Sequence, residues 1–279
     1  MSASISTAFV KQYEGDVHIA YQRQGAKMRN SCRMSTNVEG STDTFQLVGK
    51  GSAGKKTRHG KVPVMNLVHT NVEATLEDWY AGEWCDNLDK LKHNHDERKV
   101  AASSGAYACG RKVDTLLNDA ARLSLPSAQK VAENTSGLTK VKALNAIEIL
   151  NAGDVPDDGE RYFFVGAHQW AELLNLDEFS NADYVGDRKP WLGGTDARTW
   201  MNCTWVMHTG LDIGSGTRYV VGWHKSAMGW AEGCDIKSDI TWQGDYAAHF
   251  INHYFSGGAI RIDDLGVVEI ACDDDAAIS

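Results

Sequence analysis

Residues 109–123 read CGRKVDTLLNDAARL, and their apolar side chains recur at alternating steps of four and three. That spacing places the side chains on one face of an α-helix. The face consists of Cys109, Val113, Leu116, Ala120 and Leu123. We predict one long helix over residues 86–123, because Pro126 ends the pattern. At 1.5 Å per residue this helix would be about 57 Å long, unless Gly105 or Gly110 interrupts it.

The chain beyond this helix mixes helical and strand-like patterns. We predict two short helices, over residues 139–150 and 167–176. Strand-like runs follow the first of these helices and continue toward the C-terminus. They cover residues 161–165, 203–208, 218–223, 246–255, 259–262 and 267–271. One long helix, shorter helices and many strands together predict an α+β fold.

A long β-hairpin is predicted before the helix. Residues 44–48 and 62–69 are rich in β-branched and apolar side chains, as strands are. The tip between them, residues 49–61, has four glycines, five Lys or Arg residues and no acidic residue. Such a tip is too polar to fold on itself, and a long hairpin carries it away from its own core. It is therefore either a contact with another subunit or a mobile surface loop.

The first 35 residues form an arm without a core pattern. Aromatic side chains are spaced irregularly in it and several cations follow, so the arm is expected to bury its aromatic rings against something else. The arm and the hairpin tip supply the candidate residues for contacts between subunits. These are Phe9, Tyr13, Tyr21, Arg23, Arg29, Lys50, Lys55, Lys56, Arg58 and Lys61.

Charge is divided unevenly along the 279 residues, whose net charge is −9. Residues 1–61 carry ten basic and four acidic side chains, a net charge of +6, and residues 62–279 carry 18 and 33, a net charge of −15. An acidic body argues against a protein that holds nucleic acid mainly by its own charge. The basic first part is either a nucleic-acid arm or an arm that docks on another copy of the acidic body.

Targeting sequences and membrane-spanning segments are not expected. The sequence has no run of about 18 apolar residues and no basic start followed by an apolar stretch, so neither a membrane span nor a signal peptide is predicted. Six cysteines lie far apart without a C-x-x-C pair, which is typical of reduced, buried thiols. Nine tryptophans are present, and we expect them in a core or at a subunit interface.

One motif comes close to a phosphate-binding loop. Residues 49–57 read GKGSAGKKT, but Lys56 stands where a Mg²⁺-binding hydroxyl belongs. The segment that follows, residues 58–63, is strand-like, whereas a phosphate loop must lead into a helix. Nucleotide binding is therefore disfavoured.

Metal and nucleophile motifs are equally incomplete. His249 and His253 are four residues apart, as in the zinc-binding motif H-E-x-x-H of a helix. Phe250 stands where that motif has its general base, and the segment is strand-like. No recognised zinc spacing is formed by Cys85, His93, His95 and Cys109. No G-x-S-x-G sequence is present. We expect no catalytic residues, no metal and no cofactor, and hence no enzyme.

The order of elements resembles the major capsid protein of tailed bacteriophages, with the Hong Kong 97-type fold. The arm sequences FVKQY at 9–13 and YQRQGAKMR at 21–29 look like the opening of one subfamily. Arg58-His59-Gly60 looks like part of its extended loop. RYFFV at 161–165 and NADYVG at 181–186 are similar to the start of its axial domain.

The resemblance implies a division of the chain into five parts. They are an N-terminal arm (1–35), an extended β-hairpin loop (36–75), a peripheral domain with a long spine helix (76–137), an axial domain (138–240) and returning strands shared by both domains (241–279). It also implies hexamers and pentamers that form an icosahedral shell around double-stranded DNA, without sequence-specific binding. The implied location is the virion, after synthesis in the cytoplasm of a host bacterium.

Further partners follow from the same resemblance. It implies a separate scaffolding protein, a portal protein and a decoration protein, and no membrane. Two alternatives remain open at this point. An encapsulin-like shell of a cellular nanocompartment would share the fold and would have cargo genes beside it. A phosphate-loop enzyme would bind nucleotide as a purified subunit.

Overall fold

A computed structural model describes residues 23, 25–86, 97–180 and 197–278 of the chain. Within these ranges the helices are α1 (Glu97–Arg122), α2 (Lys140–Ala152), α3 (Ala167–Asn175) and α4 (Asp177–Ser180). The strands are β1 (Arg33–Thr36), β2 (Thr42–Val48), β3 (His69–Thr75), β4 (Glu77–Asp86), β5 (Lys130–Val131), β6 (Arg161–Val165), β7 (Arg198–Trp200), β8 (Cys203–Met207), β9 (Ile213–Gly214), β10 (Thr217–His224), β11 (Met228–Gln243), β12 (Ala248–Arg261) and β13 (Val267–Asp273). The predicted α+β class is confirmed. No helix of the described ranges is long and apolar enough to cross a bilayer.

The described strands form two larger sheets and one hairpin. The first sheet has the order β1-β11-β12-β4, with β1 parallel to β11 and the other neighbours antiparallel. The second has the order β5-β13-β10-β6-β8-β7, with β9 added beside β10. The hairpin pairs β2 with β3. The division into peripheral and axial domains stays a prediction.

Helix α1 packs on a core to which both sheets contribute. Val113 and Leu117 of α1 lie in one apolar cluster with Trp223 of β10, Trp230 of β11 and Phe255 of β12. The second cluster belongs to the seven-stranded sheet and the helices on it. Its fully buried side chains include Phe163, Leu173 and Trp205. Trp205, Trp223 and Trp230 are therefore core residues, as expected for tryptophans of this segment.

The buried face of α1 differs from the prediction after Val113. Burial continues at Leu117 and Ala121, both fully buried, whereas Leu123 is 75% exposed. Leu116 and Leu117 are adjacent apolar residues, so the periodic pattern fitted either one. The buried face also carries Asp114 and Asn118, which are buried polar residues that an apolar pattern does not count.

Two further corrections concern the extent of α1. Asp86 ends strand β4, so the helix does not begin there, and residues 87–96 lie outside the described ranges. The glycines do not interrupt the helix but allow close contacts. A Cβ on Gly105 would lie 2.1 Å from Cδ2 of His253, and one on Gly110 would lie 2.9 Å from the carbonyl carbon of Gly25.

The hairpin is confirmed, but its second strand is shifted. Thr42 lies opposite Thr75 and Val48 lies opposite His69, so the returning strand is β3 and not residues 62–69. Residues 49–68 form the loop between the strands. Pro63 lacks a backbone donor in the segment predicted as a strand. Strand β3 is mostly polar and exposed, which is why its sequence gave a weak strand pattern.

Two long strands were not predicted. Strand β4 occupies residues between the hairpin and the predicted helix, and β11 is 16 residues long. The runs predicted at 246–255 and 259–262 belong to one strand, β12. Strand β11 pairs with β12 and with β1.

Arginine side chains hold the C-terminal end of α1. Arg261, at the end of β12, donates to the carbonyl oxygens of Ala121 at 3.0 Å and Leu123 at 2.7 Å. Arg122 donates through Nε to Glu269 of β13 at 2.6 Å. Carbonyl groups at a helix end have no partner within the helix, so a cation there satisfies them and opposes the helix dipole. The end of α1 is thereby fixed to both sheets.

Replacement of Leu117 by Asp should prevent stable folding. The carboxylate would be buried without a partner, at a cost on the order of 4 kcal/mol. The matched control, Leu123→Asp, changes an exposed side chain and should cost less than about 1 kcal/mol. Urea unfolding of unassembled subunits measures both. Equal stability of the two variants would show that the buried face is assigned wrongly.

Candidate intersubunit surfaces

The loop at the end of the hairpin, residues 49–68, is called the hairpin tip below. The backbone N–H of Gly49 donates to the carbonyl oxygen of Val68 at 2.8 Å and closes the loop. All five of its Lys and Arg side chains are exposed, and it contains no acidic residue. These cations are Lys50, Lys55, Lys56, Arg58 and Lys61. The tip therefore presents a concentrated positive charge.

Apolar side chains of the hairpin tip are exposed as well. Val62 is 70% exposed and Val64 is 79% exposed, and Met65, Leu67 and Val68 are also exposed. This exposure was not predicted, because residues 62–69 were expected to form a strand. The sequence does contain an indication of this exposure, which is a run of apolar residues next to Pro63 and five cations. The tip combines unburied apolar surface with positive charge, a combination that suits a protein partner.

The base of the tip also touches its own subunit. Lys50 Nζ lies 2.6 Å from Oδ2 of Asp154, two residues after the end of α2. The hydrogen bond and charge of Lys50 lower the pKa of Asp154. Both side chains are largely exposed, so solvent weakens this ion pair. The hairpin was expected to carry its cations away from their own subunit, and Lys50 does not follow this expectation.

The end of the arm is bonded to the buried carboxylate of Asp114. The contacts of this carboxylate with Arg23, Lys27, Met28 and His208 are called the clasp below. Oδ1 of Asp114 accepts from the backbone N–H of Met28 at 3.0 Å, and Oδ2 accepts from that of Lys27 at 3.2 Å. Nε2 of His208 lies 2.9 Å from the same Oδ2, and Nε of Arg23 lies 3.5 Å from it. The clasp joins the arm, α1 and the residue after β8.

Burial governs the ionisation of this clasp. It lowers the pKa of His208, although the carboxylate of Asp114 acts in the opposite direction. Burial likewise lowers the pKa of Arg23. The imidazole of His208 is therefore neutral at pH 7, and Arg23 is a cation 3.5 Å from the Asp114 carboxylate.

The arm candidates fall into two groups. Phe9, Tyr13 and Tyr21 lie outside the described residues. Arg23 is engaged in the clasp, and Arg29 pairs with Glu232 and, at 2.9 Å, with Asp235. These contacts lie within one subunit, so an intersubunit role for the two arginines stays a prediction.

The near-match to a phosphate loop and several candidate metal ligands lie in the described part of the chain. The near-match to a phosphate loop leads to a turn and then to β3, with no helix. His253 is buried, and its Nδ1 lies 2.7 Å from Oγ of Ser238. Asp158, Glu160 and His224 lie close enough to share an ion, but Glu160 pairs with Lys225. Five of the six cysteines are buried, and burial raises the pKa of Cys32 and Cys272 to about 12.

Solved structures of phage capsids share this architecture. The capsid protein of cyanophage P-SCSP1u has a TM-score of 0.74 at 16% identity, with 98% of this chain and 95% of that chain covered. The structure from Mycobacterium phage Che8 has a TM-score of 0.71 at 16% identity, covering 96% and 98%. The capsid of Ralstonia phage GP4 gives 0.70 at 14% identity, covering 95% of each chain. The fold is thus the Hong Kong 97-type fold of phage shell subunits.

The family is established independently of the fold. The model of the phage capsid protein family matches residues 5–274 of the sequence. No curated protein sequence matches the chain. The chain belongs to the phage capsid protein family and is a structural component of the virion.

The stability of the subunit should depend on the protonation of His208. Its pKa is lower in the folded state than in the unfolded state, so below about pH 6.5 the unfolded state binds more protons. The contribution of His208 to the free energy of unfolding is fully present above that pH, and it is lost as the pH falls from there through the folded-state pKa. Urea unfolding at pH 8 and pH 5.5 should show a larger loss in the wild type than in His208→Gln. The exposed His59→Gln is the control, and equal losses in all three proteins would contradict the assignment.

Proposed function

We propose that this chain is the major capsid protein of a tailed bacteriophage and assembles into hexamers and pentamers of an icosahedral shell around double-stranded DNA. The observation that carries the proposal is the family match from residue 5 to residue 274. The exposed hairpin tip supports it physically, since a subunit made to act alone would not benefit from an unburied apolar and cationic loop.

The hairpin tip is proposed to lie on the acidic surface of an adjacent copy. Residues 62–279 have a net charge of −15, whereas the tip has five cations and no acid. Each exposed ion pair contributes only about 0–1 kcal/mol. Complementary fields nevertheless steer encounters and fix register, and the contact repeats around every subunit. Charge thus sets the rate of assembly, and apolar burial stabilises the assembled shell.

The genome is enclosed rather than bound by a dedicated site. An acidic body with a net charge of −9 for the whole chain does not attract DNA through counterion release. We propose that the shell contacts DNA without sequence specificity and that the DNA enters through a portal protein. A separate scaffolding protein and a decoration protein complete the proposed partners. Synthesis takes place in the host cytoplasm, and the chain has no catalytic role.

The similarity to phage capsids favours this proposal over a nanocompartment shell or an enzyme. A purified subunit should not bind Mg-ATP, because Lys56 replaces the required hydroxyl and a strand, not a helix, follows the tip. Isothermal titration calorimetry measures binding to the wild type and to Lys55→Ala. Mg²⁺-dependent binding that Lys55→Ala removes would support the enzyme instead.

Charge reversal at the tip should block assembly. In Lys55→Glu/Lys56→Glu the tip would repel the acidic surface of its neighbour, so the yield of empty shells should fall at least tenfold. Lys55→Gln/Lys56→Gln, which removes the charge without reversing it, should be intermediate, and raised salt should slow the wild type. Light scattering during assembly with any required scaffold gives the rates. Normal empty shells with a defect only in DNA filling would instead place the tip against the genome.

A further inference from the structure

Asp158, Glu160 and His224 form a cluster beside the point where the chain passes from one larger sheet to the other. His224 ends β10 of the seven-stranded sheet, and β11 of the four-stranded sheet begins at Met228. Asp158 and Glu160 precede β6, whose Arg161 lies opposite His224. One side-chain atom of each of the three residues lies within 4.8 Å of the corresponding atoms of the other two. These three residues are called the crossing cluster.

The atoms of the crossing cluster have the chemistry and the spacing of metal ligands. Nε2 of His224 lies 3.1 Å from Oδ1 of Asp158. In a tetrahedral zinc site with bonds of about 2.0 Å, the ligand atoms are about 3.3 Å apart. This pair is therefore already at the separation that a shared ion requires. Glu160 can close its remaining separation, at most about 1.5 Å, by rotation of a side chain that is 47% exposed.

The ring of His224 is held in the orientation that a metal ligand needs. Its side chain is only 5% exposed, and its Nδ1 lies 2.7 Å from Oγ of Ser226. When Nδ1 carries the hydrogen and donates it to this oxygen, Nε2 directs its lone pair toward Asp158. Metal-binding histidines generally have such a second partner, which fixes the tautomer. In the other tautomer Nδ1 accepts the backbone N–H of Ser226 at 3.3 Å and Nε2 donates to Asp158, so an ion takes the place of one hydrogen.

Asp158 is a carboxylate that an ion from solvent can reach. Its side chain is 48% exposed. The backbone N–H of Glu160 donates to its Oδ1 at 3.0 Å, and this bond lowers the pKa of Asp158. The same bond fixes the carboxylate beside the ring of His224. The cluster thus joins one buried nitrogen ligand to oxygen ligands that face the solvent.

Lys225 is the cation that competes with an ion for this cluster. Its Nζ lies 3.0 Å from Oε1 of Glu160, and its backbone N–H donates to the carbonyl oxygen of Glu160 at 3.0 Å. The two side chains are 39% and 47% exposed, so solvent weakens their ion pair. A divalent ion attracts a carboxylate more strongly than one ammonium charge does. The ammonium group can therefore turn to water, while the backbone bond keeps the turn beside Glu160.

We propose that the crossing cluster binds one divalent transition-metal ion, such as Zn²⁺, through Nε2 of His224 and one oxygen each of Asp158 and Glu160. Imidazole selects such ions over Mg²⁺ and Ca²⁺, whose sites consist of oxygen atoms. The ion ties the segment before β6 to the turn that leads from one sheet to the other, and it stabilises this crossing of the chain. Asp158 and His224 are 66 residues apart, which is why no metal was predicted from the sequence. The inference concerns a single subunit and does not rest on the proposed function.

Titration of the full-length, metal-free protein with ZnCl₂ tests the ligands. Asp158→Asn should weaken Zn²⁺ binding, measured by isothermal titration calorimetry, by about tenfold or more. The matched control, Asp157→Asn, makes the same charge change at the neighbouring residue, whose carboxylate accepts from Asn202, and should leave binding unchanged. Mg²⁺ should bind far more weakly than Zn²⁺ to the wild type. Equal weakening by the two variants, no weakening by Asp158→Asn, or Mg²⁺ binding as tight as that of Zn²⁺ would overturn the proposal.

The competing lysine provides a second test. Lys225→Met removes the cation that pairs with Glu160, so Zn²⁺ affinity should rise by about two- to fivefold. Lys130→Met removes a similarly exposed lysine that pairs with Glu269, and it should leave the affinity unchanged. A rise in both variants, or in neither, would contradict the proposed ligand set. Zn²⁺ should also raise the urea concentration at which the wild type unfolds, because an ion bound only by the folded state stabilises it. His224→Gln should lose this shift, and a shift that persists in it would place the ion elsewhere.

Discussion

The buried carboxylate of Asp114 is the interaction on which the arrangement of the subunit depends. It lies on the spine helix α1, accepts backbone N–H groups from Lys27 and Met28, and contacts His208 beyond the end of β8. Three separate parts of the chain therefore meet at one side chain. A buried carboxylate is tolerable only with such partners, because its desolvation cost is several kcal/mol without them. Correct placement of the arm is thereby coupled to correct packing of α1.

The same helix is held differently along its length. Toward its C-terminus, Arg261 satisfies helix carbonyl groups and Arg122 bonds to Glu269, so polar contacts fix it to both sheets. Nearer the N-terminus, Gly105 lies against the ring of His253, and the contact is one of close packing. Polar contacts are specific in direction, and close packing leaves little free volume, so the two kinds of contact hold the helix in different ways.

Much of this fold could be predicted from sequence because strong local patterns agreed with it. The helix beginning after Thr139 and the strand at 161–165 have clear caps and apolar runs. Strands β4 and β11 were missed because their exposed halves are polar or aromatic and their partners are distant in sequence. The choice between Leu116 and Leu117 required knowledge of what packs on the helix. The clasp at Asp114 gave no local signal, since an isolated Asp in a helix is usually a solvated side chain.

The charge asymmetry of the chain acquires a structural meaning from the exposed hairpin tip. The tip holds five cations and exposed apolar side chains, whereas residues 62–279 have a net charge of −15. The hairpin that carries the tip forms a two-stranded sheet of its own, separate from both larger sheets. Lys50, at the base of the tip, pairs with Asp154 of the same subunit, and the other four cations are exposed. Complementary surfaces that are separated on one molecule can make head-to-tail contacts between copies, and such contacts close into rings when the rotation between copies allows it. A cationic tip and an acidic body on one molecule are complementary in this sense.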